Sequence, residues 1–279
     1  MDHFYPSGSV VRALPQARAV SLARRLLGGA GRASLVAYDL APVVEASALA
    51  HGMSRAGELL VAGIADDEVP ATTWERTPLR VRFDVVKEAP EWEVRITACA
   101  VHLLGVLEWL TDDVRDRHLA EGGLSPRLAE LAAAPGGRLG VVRTDRVLLH
   151  DCAGVTPLAF EELTDELAAF PDADQEWAAH DLVARLAPDQ LDGLLIAAAA
   201  GWSAATILAG NSTGGCPHMG REVYCVDVDR TGITLMEVEP GLAAVVVFTF
   251  DQPADSIEEL ADGIHQLLES AATVAQRAS

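Results

Sequence analysis

Positive charge is scarce in this chain. Its 21 Lys and Arg stand against 41 Asp and Glu, a formal net charge of −20 over 279 residues. Affinity for nucleic-acid phosphates and anionic lipid depends on Lys and Arg displacing counterions, so a surface of this sign excludes general nucleic-acid binding. Cysteine is scarce as well. Cys99, Cys152, Cys216 and Cys225 lie far apart with no CxxC pairing, which excludes a disulfide framework in so long a chain. No run of apolar residues is long and clean enough for a membrane span. The most apolar segment, residues 191–210, is broken by Asp192, Ser203 and Thr206, and its alanine content reads as a buried helix. No apolar stretch follows a basic start, so no signal peptide is expected and the expected location is cytoplasmic. Phosphate-binding GxGxxG and GxxxxGK[ST] loops, HExxH and the GxSxG elbow are all missing, as is any internal repeat. Structural zinc wants four Cys or His at paired spacings, and Cys216, His218 and Cys225 supply three at most.

What is present is ample apolar material. Half the residues are hydrophobic and the mean hydropathy is +0.19, enough for a packed core in one large domain or two ordinary ones. Residues 16–29 carry a helical apolar stripe of Val20, Leu22, Leu26 and Leu27, with Arg18, Arg24 and Arg25 expected on the surface. Short β-like runs follow from residue 33. Residues 79–85 then alternate apolar and charged side chains, and a further strand is expected from residue 94 to Glu108, with Gly105 marking a bulge. One helix is expected over 111–134, closed by Pro135-Gly136-Gly137, before β structure returns at 139–150. The acidic stretch 161–175 is a composition shift and reads as a boundary. Beyond it come a helical pair, a glycine-rich loop, three strands with hairpin turns at 229–232 and 239–241, and an amphipathic helix over 256–276. The whole is an α+β protein. A domain rich in short strands spans 1–172, and a helix–antiparallel sheet–helix domain spans 173–279.

The chemistry concentrates in residues 210–221, Gly-Asn-Ser-Thr-Gly-Gly-Cys-Pro-His-Met-Gly-Arg, where Cys216, His218 and Met219 are soft metal-ligand types on a loop. The alternative is a plain turn in which they are incidental. Alternation along 79–85 puts Arg80, Arg82 and Asp84 on one face, either a solvated outer face or an arginine pair suited to an anionic oxygen. His51, in Ala-His-Gly-Met, stands near a strand connection and can line a pocket. His102 falls in an apolar strand and reads as a hydrogen-bonded core or interface residue.

Two segments carry a resemblance. Val81-Arg82-Phe83-Asp84 with the run from Val101 to Glu108 resembles strands of the FMN-binding split β-barrel superfamily, which includes pyridoxamine-phosphate oxidases. His180-Asp181, Asp189-Gln190-Leu191-Asp192, the run Val226 to Gly232, Phe248 to Pro253 and the terminal helix resemble the small α+β domain behind that barrel in bacterial haem-utilisation proteins. The resemblance implies a split barrel in the first domain, a homodimer, and haem binding in haem or iron handling, with oxidative haem breakdown in some relatives. It implies FMN or a deazaflavin in others, which makes a flavin- or deazaflavin-dependent oxidoreductase the first alternative. A cofactor-free regulatory or scaffold protein is the second. On the haem reading Cys216 and His218 are the candidate iron ligands, and Arg221, His51, Arg80 and Arg82 are candidate cofactor contacts. The chain departs from the pattern at its end: residues 272–279 contain no histidine where some haem-degrading relatives place an iron ligand.

Overall fold

The structure, a computed structural model, describes residues 16–40, 44–46, 49–64, 78–91, 94–164, 170–211, 220–240 and 242–278. Helix α1 (Gln16–Leu27) buries Leu22, Ala23, Leu26 and Leu27 against the first sheet. That sheet has nine antiparallel strands: β1 (Arg32–Ala37), β2 (Val44–Ala46), β3 (Leu49–Met53), β4 (Leu59–Ile64), β5 (Leu79–Glu88), β6 (Thr97–Trp109), β7 (Gly137–Arg143), β8 (Arg146–Asp151) and β9 (Gly154–Ala159). Their order is β2-β1-β5-β6-β7-β4-β3, with β8 pairing β6 and β9 pairing β8. On β5 the alternation works as the sequence implies. Leu79, Val81, Phe83 and Val85 enter the core, and Arg80 and Arg82 face outward.

The sheet forks along β6. This strand pairs with β8 through Cys99–His102 and with β7 through Val106–Trp109. Gly105 sits at the fork. The bulge expected there is absent, because the β5–β6 register runs through it unbroken and shifts only between Lys87 and Glu88. The glycine serves close approach instead. A Cβ at this position would lie 2.6 Å from the Arg143 carbonyl oxygen and 3.2 Å from Val142.

Two expectations about the elements need correction. The helix expected over 111–134 is two, α2 (Asp112–Glu121) and α3 (Pro126–Ala133). Gly122 and Gly123 take φ of 69° and 90°, which breaks the first, and Pro126 begins the second. Helix α3 packs Leu128 and Ala132 on Leu60, Ala62, Leu139 and Val141. The second sheet has four strands, where the sequence reading found three. It consists of β10 (Ala205–Asn211), β11 (Glu222–Asp229), β12 (Gly232–Glu239) and β13 (Leu242–Thr249), in order β10-β13-β12-β11. Strand β10 was hidden in an alanine-rich run that carries no period-2 signal.

Helices α4 (Glu176–Ala184), α5 (Pro188–Ala199) and α6 (Ile257–Ala278) cover one face of that sheet, with Val183, Leu194, Leu260 and Ile264 packed on Ile233, Leu235, Val246 and Phe248. The opposite face meets the first half, contributing Val226 and Met236 to the barrel core. The architecture is α+β, a split β-barrel followed by a helix–antiparallel sheet–helix unit. No helix among the described residues is long and apolar enough to cross a membrane.

Charge crosses the seam between the halves. Arg18 and Arg25, expected on the surface of α1, are buried at 6% and 2% exposure. Arg25 grips Asp227 of β11 with both terminal nitrogens, at 2.9 and 3.2 Å, and bonds Glu176 of α4 at 2.5 Å. Lys87 at the end of β5 completes the cluster, bonding Asp227 and lying 2.9 Å from Glu176. Arg18 bonds Asp151 and reaches Thr234 of β12 at 3.3 Å. Burial alone raises the Asp227 carboxyl, but the Arg25 and Lys87 cations overcome it and hold the group well below the usual carboxylate range. Helix α1 thus buries two arginines because the partner surface supplies the carboxylates.

Candidate functional site

The outer face of the barrel sheet carries a site built by strand register. Asp84 on β5 stands opposite His102 on β6, and His102 stands opposite Leu148 on β8. Two residues along, Arg82 stands opposite Leu104. All these side chains share one face, since residues at even spacing on paired strands point the same way. The face is unusually apolar for an outward surface: Leu104 is 69% exposed, Tyr38 47% and Leu148 37%. Exposed apolar residues in one patch mark a place where something binds.

Two cavities open here and adjoin across Leu104, Thr144 and Asp145. The larger, of about 910 Å³, has Leu104, Val106, Val142 and Phe160 among its walls, with Tyr38, Arg80 and Arg143 around them. The smaller, of about 390 Å³, is lined by Arg82, His102, Leu104, Arg146 and Leu148. The larger falls within the ~300–1,000 Å³ typical of small-molecule sites. The fork at Gly105 makes the basin possible: the β7–β8 turn folds back over β6 here, its Thr144 hydroxyl donating to the Leu104 carbonyl at 2.9 Å.

Four arginines ring this basin in a protein of strongly negative net charge. Arg80 holds Asp39 through Nε at 2.9 Å and a terminal nitrogen at 2.6 Å, and Arg143 holds Glu108 at 3.2 Å. Exposed ion pairs of this kind contribute little to stability, so a ligand carboxylate or phosphate can take over either arginine at small cost. Arg146 has no ion-pair partner among the described residues. Arg82 is different, because its Nε bonds Asp84 at 2.7 Å. The other oxygen of Asp84 accepts a hydrogen bond at 2.7 Å from Nδ1 of His102. His150 lies edge-on to the His102 ring with centroids 4.7 Å apart. The sequence reading passed over His102, since a histidine in an apolar strand looks like core. The available signal was Asp84 on the neighbouring strand, which becomes a partner only once the register is known.

The other candidates lie elsewhere. His51 is on β3, 4% exposed, its ring 5.7 Å from Phe83 inside the core and its Nε2 bonded at 2.6 Å to the Leu26 carbonyl. Burial lowers its pKa to about 4. Arg221 is held within the second half by Asp192 at 2.5 Å and by Glu237. No contact among the described residues brings His51 or Arg221 to the basin. Cys216 and His218 fall outside the described residues. The flanking Asn211 and Glu222 belong to the two opposite edge strands of the second sheet. Of the six residues singled out in the sequence, Arg80 and Arg82 therefore share a site, and His51 and Arg221 occupy two others.

The remaining sulfur chemistry is quiet. Burial pushes the Cys99 thiol up to about 12 and the Cys152 thiol up to about 11, and Cys225 is raised further, so all three stay protonated near neutrality. Among the described residues no group of three or more His, Cys, Asp or Glu is placed to hold a metal ion. The seam has a cavity of about 260 Å³ beside Lys87, Trp177 and His180, but its cations are already neutralised by Glu176 and Asp227. His180 stands 3.8 Å from the Glu91 carboxylate, and burial lowers its pKa.

No family model matches the chain, and no curated protein matches it. Solved structures do. A heme binding protein from Mycobacterium smegmatis is similar over 95% of this chain and 100% of its own, with 21% identity and a TM-score of 0.54. A protein of unknown function from Agrobacterium tumefaciens is similar over 93% and 99%, with 14% identity and a TM-score of 0.41. ChuZ from Campylobacter jejuni is similar over 57% and 65%, with 9% identity and a TM-score of 0.39. The first of these carries the fold, and it does so end to end: this chain has the fold of that structure over nearly its whole length, a split β-barrel with a small α+β unit behind it.

Proposed function

We propose that this chain binds haem, in haem or iron handling, in the basin on the outer face of its barrel. The observation that carries the reading is the combination there of an apolar floor with an arginine rim. Haem needs flat apolar walls for the macrocycle and cations for its two propionates. Leu104, Val106, Val142 and Phe160 supply the first, and Arg80, Arg143 and Arg146 the second. The likeness over nearly the whole chain to a structure described as a heme binding protein supports the same reading. When bound, haem supplies iron-centred redox and oxygen chemistry; this chain's part is to hold and orient it and to keep water away.

The basin is open to solvent on its outer side, and a second copy of the chain laid over Tyr38, Leu104 and Leu148 would close it. On this reading the protein is a homodimer. Replacing Leu104 by Glu then lowers the mass seen in sedimentation to that of one chain, and an unchanged mass counts against that cover.

The deciding experiment is a hemin titration of the purified protein followed at the Soret band. Saturable binding with a band unlike that of free hemin is expected, weakened in the variants Arg80→Ala and Arg143→Ala. A spectrum identical to free hemin at every ratio overturns the reading. A parallel titration with FMN and a deazaflavin tests the alternative, in which the same arginines hold a phosphate. Loss of the Soret band on adding a reductant under air would add haem breakdown to haem binding.

A further inference from the structure

We infer that His102 is the side chain that would ligate the haem iron, held for that task by Asp84. The inference rests on the haem reading of the basin and adds to it the donor atom. A ligating histidine usually gives its second ring N–H to a carboxylate, which settles the tautomer, orients the ring and makes the ligating nitrogen more basic. His102 has this arrangement. Its Nδ1–H donates to Asp84 at 2.7 Å, which leaves Nε2 as the lone-pair nitrogen of a ring lining the basin. Among the described residues nothing bonds Nε2, and the side chain is 38% exposed.

The carboxylate is a built feature. Asp84 is 7% exposed on a sheet face, and a buried carboxylate is costly unless hydrogen-bonded. Both of its oxygens are used, one by His102 and one by Arg82 Nε at 2.7 Å. The triad Arg82–Asp84–His102 therefore fixes the orientation of the ring. Around it, Leu148 lies directly across on β8 and Leu104 two residues along β6, apolar surfaces against which a macrocycle can lie. His150 packs edge-on at 4.7 Å and limits rotation of the His102 ring.

Three other described histidines are placed less well. His51 spends Nε2 on the Leu26 carbonyl inside the core. His180 sits against Glu91 at the seam, and His265 lies 3.2 Å from Glu269 on the exposed side of α6.

The test uses hemin as the probe with wild-type protein and the variants His102→Ala, Asp84→Asn, Cys216→Ala and His218→Ala. In His102→Ala the Soret maximum and the ferric electron paramagnetic resonance signal are expected to change, and added imidazole to restore the wild-type spectrum by filling the vacated position. Asp84→Asn, which keeps the shape and removes the charge, is expected to lower hemin affinity about 10–100-fold, the usual effect of losing a ligand's backing partner. If wild type binds hemin and His102→Ala gives the same spectra, His102 is not the ligand while the haem reading stands. A change confined to Cys216→Ala or His218→Ala returns the ligand to the glycine-rich loop and likewise overturns the inference. Failure of the wild type itself to bind hemin removes the haem reading, and the inference with it.

Discussion

Single side chains show most directly how environment redirects chemistry. His51 and His102 are the same residue type on strands of one sheet, yet one faces the core and the other the basin. For His51 burial is the leading cause of a pKa near 4 against an ordinary 6.5; the Leu26 hydrogen bond opposes that drop, and Arg127 adds slightly to it. The ring is neutral in both the folded and unfolded states above pH 6.5, so its contribution to stability is complete there. As pH falls from 6.5 toward 4 the unfolded chain takes up the proton first, and stability is lost across that window. At about 1.36 kcal/mol per pH unit the loss approaches about 3 kcal/mol at its full extent. Urea unfolding of wild type and His51→Gln at pH 7 and pH 4.5 checks this: the wild type should lose the larger share of its stability on acidification. Equal losses would mean that His51 is not buried as a neutral ring.

Among the strands, β6 decides the shape of the site. It is long enough to serve two partners, and the change of partner at Gly105 forks the sheet and opens the basin. Gly105 is needed for space, because the Arg143 carbonyl oxygen occupies the place of a side chain. Gly105→Val should therefore destabilise the protein by about 1–3 kcal/mol, the usual cost of forcing bulk into a packed site. It should also weaken hemin binding more than Gly193→Ala, at a helical position where an added Cβ meets nothing within 4 Å. Thermal unfolding and the same titration measure both effects, and equal behaviour of the two variants would show that the fork tolerates a side chain.

Across the molecule, the halves are joined by buried charge as well as by apolar packing. Asp227 of the second sheet neutralises Arg25 and Lys87 of the first half. Removing one partner of a buried ion pair leaves the others uncompensated, which typically costs about 3–5 kcal/mol. Asp227→Ala is expected to lower stability by that order in urea unfolding. The double variant Asp227→Leu with Arg25→Met, which removes charge from both sides of the seam, should recover part of the loss. A small effect in the single variant would show that water reaches the seam and solvates the two cations.

Much of the fold was open to reading from residue order. The alternation over residues 79–85, the hairpin turns near 230 and 240 and the amphipathic last helix each carry a local periodicity or turn chemistry that acts over a few residues. Strand β10 was not legible, since alanine-rich sequence suits helix and strand alike, and the helix over 111–134 was split by two glycines in left-handed conformation. The site was legible in part. Arg80 and Arg82 declared themselves by alternation, but the pairing of Asp84 with His102 spans eighteen positions and exists only through the β5–β6 register. The buried arginines of α1 were read as surface because their partners are about 130 to 200 positions away. Composition and short-range pattern determined the type of most segments and which of their faces are apolar. Long-range pairing alone determined which charges are neutralised and which histidine faces the basin, because those properties depend on distances the chain acquires by folding.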